Sequence, residues 1–174
     1  MRAIRYVLTA SLALLLSGAG LAEAAGRAKP AAFETDFSGG YEAGTIVIKT
    51  AERRLYLVTG QSSALAYDIA VGKPSEQWFG RSFVSKKRQN PTWTPTPSMR
   101  EKNPDLPQQV GPGPKNPLGV RAMNLGWGTY RIHGTNSPRS IGSAASAGCF
   151  RMRNADVADL FERVHVGAQV VVLQ

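Results

Sequence analysis

Cys149 is the only cysteine among 174 residues, and only two histidines, His133 and His165, accompany it. The thiol is the chain's clearest nucleophile: as thiolate it attacks a carbonyl carbon, and an imidazole within hydrogen-bond reach takes its proton. Cys149 lies in "SAGCFRM", Ser146 to Met152, where small residues let the backbone approach a substrate closely. In such a turn the N–H groups of Gly148 and Cys149 are candidates to face a developing oxyanion. Losing one donor of that kind costs about 2.7–4 kcal/mol of barrier. His133 stands sixteen residues earlier and is followed by "GTN", a turn-forming segment, so it sits where a strand opens into a loop. This is the Cys/His arrangement of acyl transfer. On the residues alone, a buried structural cysteine and a histidine bonded within its own turn are equally admissible. His165 falls at the end of a helical pattern, where a surface position near the C-terminal dipole accounts for it. Zinc is the competing use of one cysteine and two histidines, but the chain has neither C-x-x-C nor H-x-x-x-H spacing. No metal ligand is assigned.

The elements that must position these groups are mostly short β-branched runs. "TIVIKT" (Thr45 to Thr50) and "RRLYLVT" (Arg53 to Thr59) are separated by Ala51 and Glu52, which predicts a hairpin. "LAYDIAVG" (Leu65 to Gly72) and "GRSFVSKKR" (Gly80 to Arg88) predict two more strands, and "GTYRIHGT" (Gly128 to Thr135) has strand composition up to His133. "NADVADLFERV" predicts one short amphipathic helix, with Asn154 as its N-cap and Val157, Leu160, Phe161 and Val164 at i, i+3, i+4, i+7. Gly167 ends it, and "AQVVVLQ" predicts a last, buried strand. Between them, Asn90 to Gly119 holds eight of the eleven prolines, so neither a helix nor a central strand is expected to run through it. Trp93, Met99 and Leu106 give that stretch apolar side chains to pack, which predicts an ordered loop bordering a site. The sum is a mainly β domain with one helix after the cysteine.

The N-terminus reads as an export signal. Arg2 and Arg5 precede an apolar run from Tyr6 to Leu16, and Ala22-Glu23-Ala24 fits the small-x-small rule, which places cleavage after Ala24. The run is too short to span a bilayer comfortably, so no stable membrane insertion is expected once residues 1–24 are removed. Residues 25–44 are rich in Ala and Gly and predict a flexible leader, with the domain at 45–174. Cleavage removes Arg2, Arg5 and Glu23 and takes the formal net charge from +9 to +8. An exported basic protein rarely meets nucleic acid. An anionic wall polymer or acidic peptide is the better electrostatic partner. Outside the cytoplasm cysteines usually pair, and a single one has no partner in its own chain.

From "NPLGVRAMNLGWGTYRIHGT" through "SAGCFRMRNADVADLF" to "VGAQVVV", the chain closely resembles the L,D-transpeptidase catalytic domain (YkuD type, ErfK/YbiS-like). That family carries an "HGT" element followed at similar spacing by "S-H-G-C-[IV]-R-M". The similarity reaches back through "NPTWTPTPSM" to "IVI…RRLYL…YDIAVGK" and covers roughly Thr45 to Gln174. The resemblance implies a β-sandwich-like fold, peptidoglycan stem peptides as substrates, no cofactor and covalent inhibition by carbapenems. It makes Cys149 the nucleophile, His133 the general base and the Gly134 carbonyl the group that orients the imidazole. Arg151, in the "RM" element, becomes a candidate to hold a substrate carboxylate, with an ion pair to Asp156 or Asp159 as the structural alternative. Trp93 resembles a position walling the cleft. Where the family has histidine two residues before the cysteine, this chain has Ala147, to which no role is transferred. An L,D-carboxypeptidase and an inactive wall-binding domain remain as alternatives.

Overall fold

Side chains that alternate between two covered faces build the first half of the fold. The computed structural model describes residues 30–174, so the expected signal sequence and the start of the leader lie outside the described residues. The first four strands are β1 (Phe33–Asp36), β2 (Ile46–Lys49), β3 (Arg54–Val58) and β4 (Ser63–Asp68). Successive side chains of a strand point to opposite faces. Ile46 and Ile48 of β2, Leu55 and Leu57 of β3 and Tyr67 of β4 therefore enter the main core. Val47, Tyr56, Val58, Ala64 and Ala66 face the other way. That second face is covered by Phe37, with Tyr41 packed beside it.

The cover comes from the segment expected to be a flexible leader. β1 pairs antiparallel with β4, Phe33 opposite Ala66, and the Ala31 N–H donates to Asp156 at 2.8 Å. A sheet face of Val, Tyr and Ala must be shielded from water, and Phe37 does so at 7 % exposure. The Ala- and Gly-rich composition of the leader conceals this, because one aromatic residue carries the packing.

The remaining elements are β5 (Val71–Gly72), β6 (Gly80–Gln89), α1 (Pro97–Lys102), β7 (Arg121–Leu125), β8 (Arg131–His133), β9 (Ala144–Ser146), β10 (Phe150–Arg151), α2 (Asn154–Arg163) and β11 (Gln169–Leu173). Nine strands form one sheet in the order β1-β4-β3-β2-β11-β6-β7-β8-β10, and β5 with β9 form a separate pair. The long strand β6 joins two halves: its first residues pair with β11, its later ones with β7, and the register shifts between Val84 and Lys86. A shift of that kind bends a strand and adds twist, which folds the sheet over on itself. The expected hairpin forms as β2–β3, with Ile46 opposite Leu57. The strand expected over Leu65–Gly72 is interrupted after Asp68, since Ala70 is bridged to Arg151 instead.

Helix α2 closes the core with Val157 and Leu160 fully buried, worth about 1.5–3 kcal/mol per side chain. Its N-cap position is Arg153 rather than Asn154, and no side chain caps it. The proline-rich stretch is ordered but not helix-free. Pro97 occupies the first turn of α1, where a missing N–H costs nothing, and the Thr96 hydroxyl accepts from the Met99 N–H.

Candidate active site

Strands β8 and β10 lie side by side and parallel, with Ile132 opposite Phe150 and His133 opposite Arg151. Ile132 and Phe150 point into the core at 0 % and 2 % exposure. Alternation then turns Arg131, His133 and Arg151 to the opposite face. Cys149, one residue before β10, stands across from Arg131 on that same side. One face of a two-strand ribbon thus carries the thiol, the imidazole and two guanidiniums.

The imidazole is held from its far side. Nδ1 of His133 lies 2.6 Å from the Gly134 carbonyl and donates to it, which leaves Nε2 as the basic nitrogen. The turn that supplies this carbonyl is itself fixed. Gly134 N–H donates to the Arg121 carbonyl at 3.0 Å, and Met152 N–H to the His133 carbonyl at 2.8 Å. Asn154 Oδ1 accepts from the Thr135 N–H at 3.0 Å. The side chain read as a helix cap therefore anchors the histidine turn instead, because a neighbouring loop supplies a donor it can reach.

The cysteine turn is tied with equal care. Ser146 Oγ donates to the Cys149 carbonyl at 2.5 Å and accepts from the Gly148 N–H at 3.2 Å. The Gly148 carbonyl in turn accepts from Trp78 Nε1 at 3.0 Å. Gly148 adopts φ +96°, and a Cβ there would sit 2.5 Å from Tyr130 Cε1, so no other residue fits. This corrects the expected oxyanion pair. The Gly148 N–H is spent on Ser146, and of the two only the Cys149 N–H has no intramolecular acceptor among the described residues.

Both reactive groups rest neutral. Burial holds the His133 imidazole down at about 4, assisted by the positive charges of Arg151 and Arg131 and opposed by the Gly134 bond. Burial also pushes the Cys149 thiol up, against the pull of Arg131 and Arg151. Desolvation disfavours both charged forms, and for the thiolate it outweighs the two nearby guanidiniums. Cys149 is a free, half-buried thiol, and its Sγ approaches the Thr129 carbonyl at 3.9 Å.

Arg151 makes neither of the ion pairs weighed for it. Asp156 pairs with Arg153, and Asp159 with Arg163 and the Tyr67 hydroxyl. Ala147 is exposed. Trp93 is half-buried in the proline-rich stretch, its backbone bonded both ways to Val110 at 2.8 Å. The tryptophan that packs at the cysteine turn is Trp78, stacked on Tyr130 at 4.9 Å and on Trp127 edge-to-face at 4.5 Å. No periodicity singles out Trp78, since it lies in a loop. Arg131 was legible: it is two residues before His133 in a strand and must share its face.

The proline-rich stretch borders the histidine turn from behind. Asn116 is fully buried and knots it: Nδ2 donates to the carbonyls of Pro91, Val110 and Gly111, and Oδ1 accepts from the Leu118 N–H. A cleft of about 390 Å³ lies between this loop and the turn, lined by Pro112, Pro114, Gly119, Thr135 and Asn154.

The chain belongs to the L,D-transpeptidase catalytic domain family (YkuD), whose model matches residues 43–172. It is 40 % identical over 134 residues to the probable L,D-transpeptidase YbiS of Escherichia coli K12, covering 72 % of this chain and 43 % of that protein. To the probable L,D-transpeptidase ErfK/SrfK of the same organism it is 38 % identical over 137 residues, covering 74 % and 43 %. The chain thus spans less than half the length of these curated relatives. Among solved structures, a Brucella melitensis protein named as a probable carnitine operon oxidoreductase is 47 % identical, with a TM-score of 0.55 over 82 % of this chain and 92 % of that one. L,D-transpeptidase 3 of Mycobacterium tuberculosis shares the fold at a TM-score of 0.59, covering 76 % and 61 %, with 14 % identity.

Proposed function

We propose that this protein is an exported peptidoglycan L,D-transpeptidase, with Cys149 as nucleophile and His133 as general base. The observation that supports the reading is the shared face of β8 and β10, to which the thiol and an imidazole whose Nδ1 is committed to Gly134 both turn. Sγ attacks the carbonyl that joins the third residue of a tetrapeptide stem, a diamino acid, to the terminal D-alanine. The Sγ–C bond forms as the thiol proton passes to His133 Nε2, and the Cys149 N–H faces the oxyanion. Collapse breaks the C–N bond, and His133 returns the proton to the departing D-alanine amine. The side-chain amine of a second stem then attacks the thioester, its proton goes through His133 to Sγ, and a cross-link between two third residues results. Starting from neutral partners spares the site a buried ion pair at rest. A substrate carboxylate meets Arg151.

Hydrolysis of the thioester by water makes the same site an L,D-carboxypeptidase. The partners are stem peptides, not nucleic acid, and no cofactor takes part. A carbapenem, whose strained amide is open to the same attack, acylates Cys149; the M. tuberculosis relative is known with a faropenem-derived adduct. Mass spectrometry of the protein with disaccharide-tetrapeptides tests the proposal. A dimer lighter than two substrates by one D-alanine, absent with Cys149→Ala, is the expected result. Tripeptide without dimer assigns the carboxypeptidase. Wild-type rates in Cys149→Ala, or inertness with no carbapenem adduct, would overturn the proposal in favour of a wall-binding domain.

A further inference from the structure

Arg131 and Arg151 are the two charged residues whose fields reach the thiol, and Arg131 acts on it the more strongly. Extending the β8–β10 register by one residue sets Arg131 opposite Cys149, and Ile132 in the core turns it to the opposite face. Its Nη1 donates to the Thr129 carbonyl at 3.1 Å, the same oxygen that Cys149 Sγ approaches at 3.9 Å. Its Nε is buried with no hydrogen-bond partner. Among the described residues the ion pairs are made by Lys49, Arg54, Arg153 and Arg163, so no carboxylate meets Arg131. A buried guanidinium N–H left unpaired is costly, and a planar guanidinium matches a carboxylate with two parallel bonds.

We infer that Arg131 reads the terminal carboxylate of the donor peptide and so confines attack to the last peptide bond of the stem. The inference rests on the acyl transfer proposed above. The carboxylate carbon of the departing residue is bonded to the Cα that ends the scissile peptide unit, about 1.5 Å beyond it. The guanidinium that shares a carbonyl with Sγ is therefore the one within its reach. Arg151, opposite His133 and two residues further along the register, is left for a carboxylate on the acyl side of the donor. A stem extended by one residue would place a neutral amide where Arg131 holds its unpaired N–H, and would forfeit the charge-assisted pair.

The test is kcat/KM of wild type, Arg131→Gln and Arg131→Lys on three donors: a tetrapeptide acid, the same peptide with a C-terminal amide, and the pentapeptide acid. Wild type should prefer the tetrapeptide acid over its amide by about 30-fold, roughly 2 kcal/mol at 1.4 kcal/mol per decade. Arg131→Gln should bring that ratio to within about 3-fold, and Arg131→Lys should restore part of it, because a point charge without the fork still attracts the anion. Acid and amide meet the same thiol, so a general loss of reactivity or folded protein cancels in the ratio. A ratio near one in wild type, or an undiminished ratio in Arg131→Gln, would overturn the assignment while leaving acyl transfer standing. Failure of wild type to release the terminal residue from any donor would overturn the function and this inference with it.

Discussion

Acidification from pH 7 to pH 5 should destabilise this fold through His133. Its folded-state pKa is about 4 against an ordinary 6.5, so the unfolded chain binds the proton more readily than the folded one. The stabilisation is complete above the unfolded value, declines as pH falls from 6.5 towards 4, and is gone below that. The full gap is worth roughly 3 kcal/mol at 1.36 kcal/mol per unit. Between pH 7 and pH 5, linkage gives a loss of about 2 kcal/mol. Urea melts of wild type and His133→Gln at both pH values isolate it. Glutamine keeps an N–H for the Gly134 carbonyl but does not titrate, and the carboxylates titrate alike in both proteins. Wild type should lose about 2 kcal/mol more than the variant over this interval. A difference below about 0.5 kcal/mol would show that the imidazole is not held neutral by burial, and the proton-transfer scheme would lose its starting state.

Alkylation of Cys149 by iodoacetamide should rise with a midpoint above the ordinary thiol value of 9.0, since burial pushes the thiol up. A midpoint near neutrality would reveal a preformed thiolate–imidazolium pair instead. Asn116→Ala removes all four bonds that knot the proline-rich stretch and should cost about 2–4 kcal/mol in urea melts, at about 1 kcal/mol per bond. It should also expose Asn90–Gly119 to limited proteolysis, and a loss under about 1 kcal/mol would contradict the knot. Gly119→Ala adds a Cβ 2.1 Å from Asn154 Oδ1 and 2.5 Å from the Thr135 nitrogen, at φ +63°. Stability should fall by about 1–3 kcal/mol. Turnover should drop at least tenfold as the histidine turn shifts, and wild-type kinetics would show that the turn is not set by this contact.

Sequence alone carried a good deal of this protein. Short β-branched runs predicted β2, β3 and β6 within a residue or two at each end, and a 3.6-residue period predicted α2, because strand composition and helical period are both local properties of the chain. A lone thiol in a small-residue turn and a histidine at a strand end pointed to acyl transfer, and the surrounding motifs pointed to the family. Other features depended on partners distant in the chain. Phe37 becomes core only because β2, β3 and β4 present a second apolar face to it. Asn154 looks like a helix cap until Thr135, nineteen residues away, offers its N–H. Gly148 looks like an oxyanion donor until its N–H is seen to donate to Ser146 Oγ. The register that seats Arg131 across from Cys149 comes from pairing two strands distant in sequence, and so does the burial that holds thiol and imidazole neutral. Hydrogen-bond partners and desolvation are properties of neighbours in space, and only the tertiary structure decides which neighbours those are.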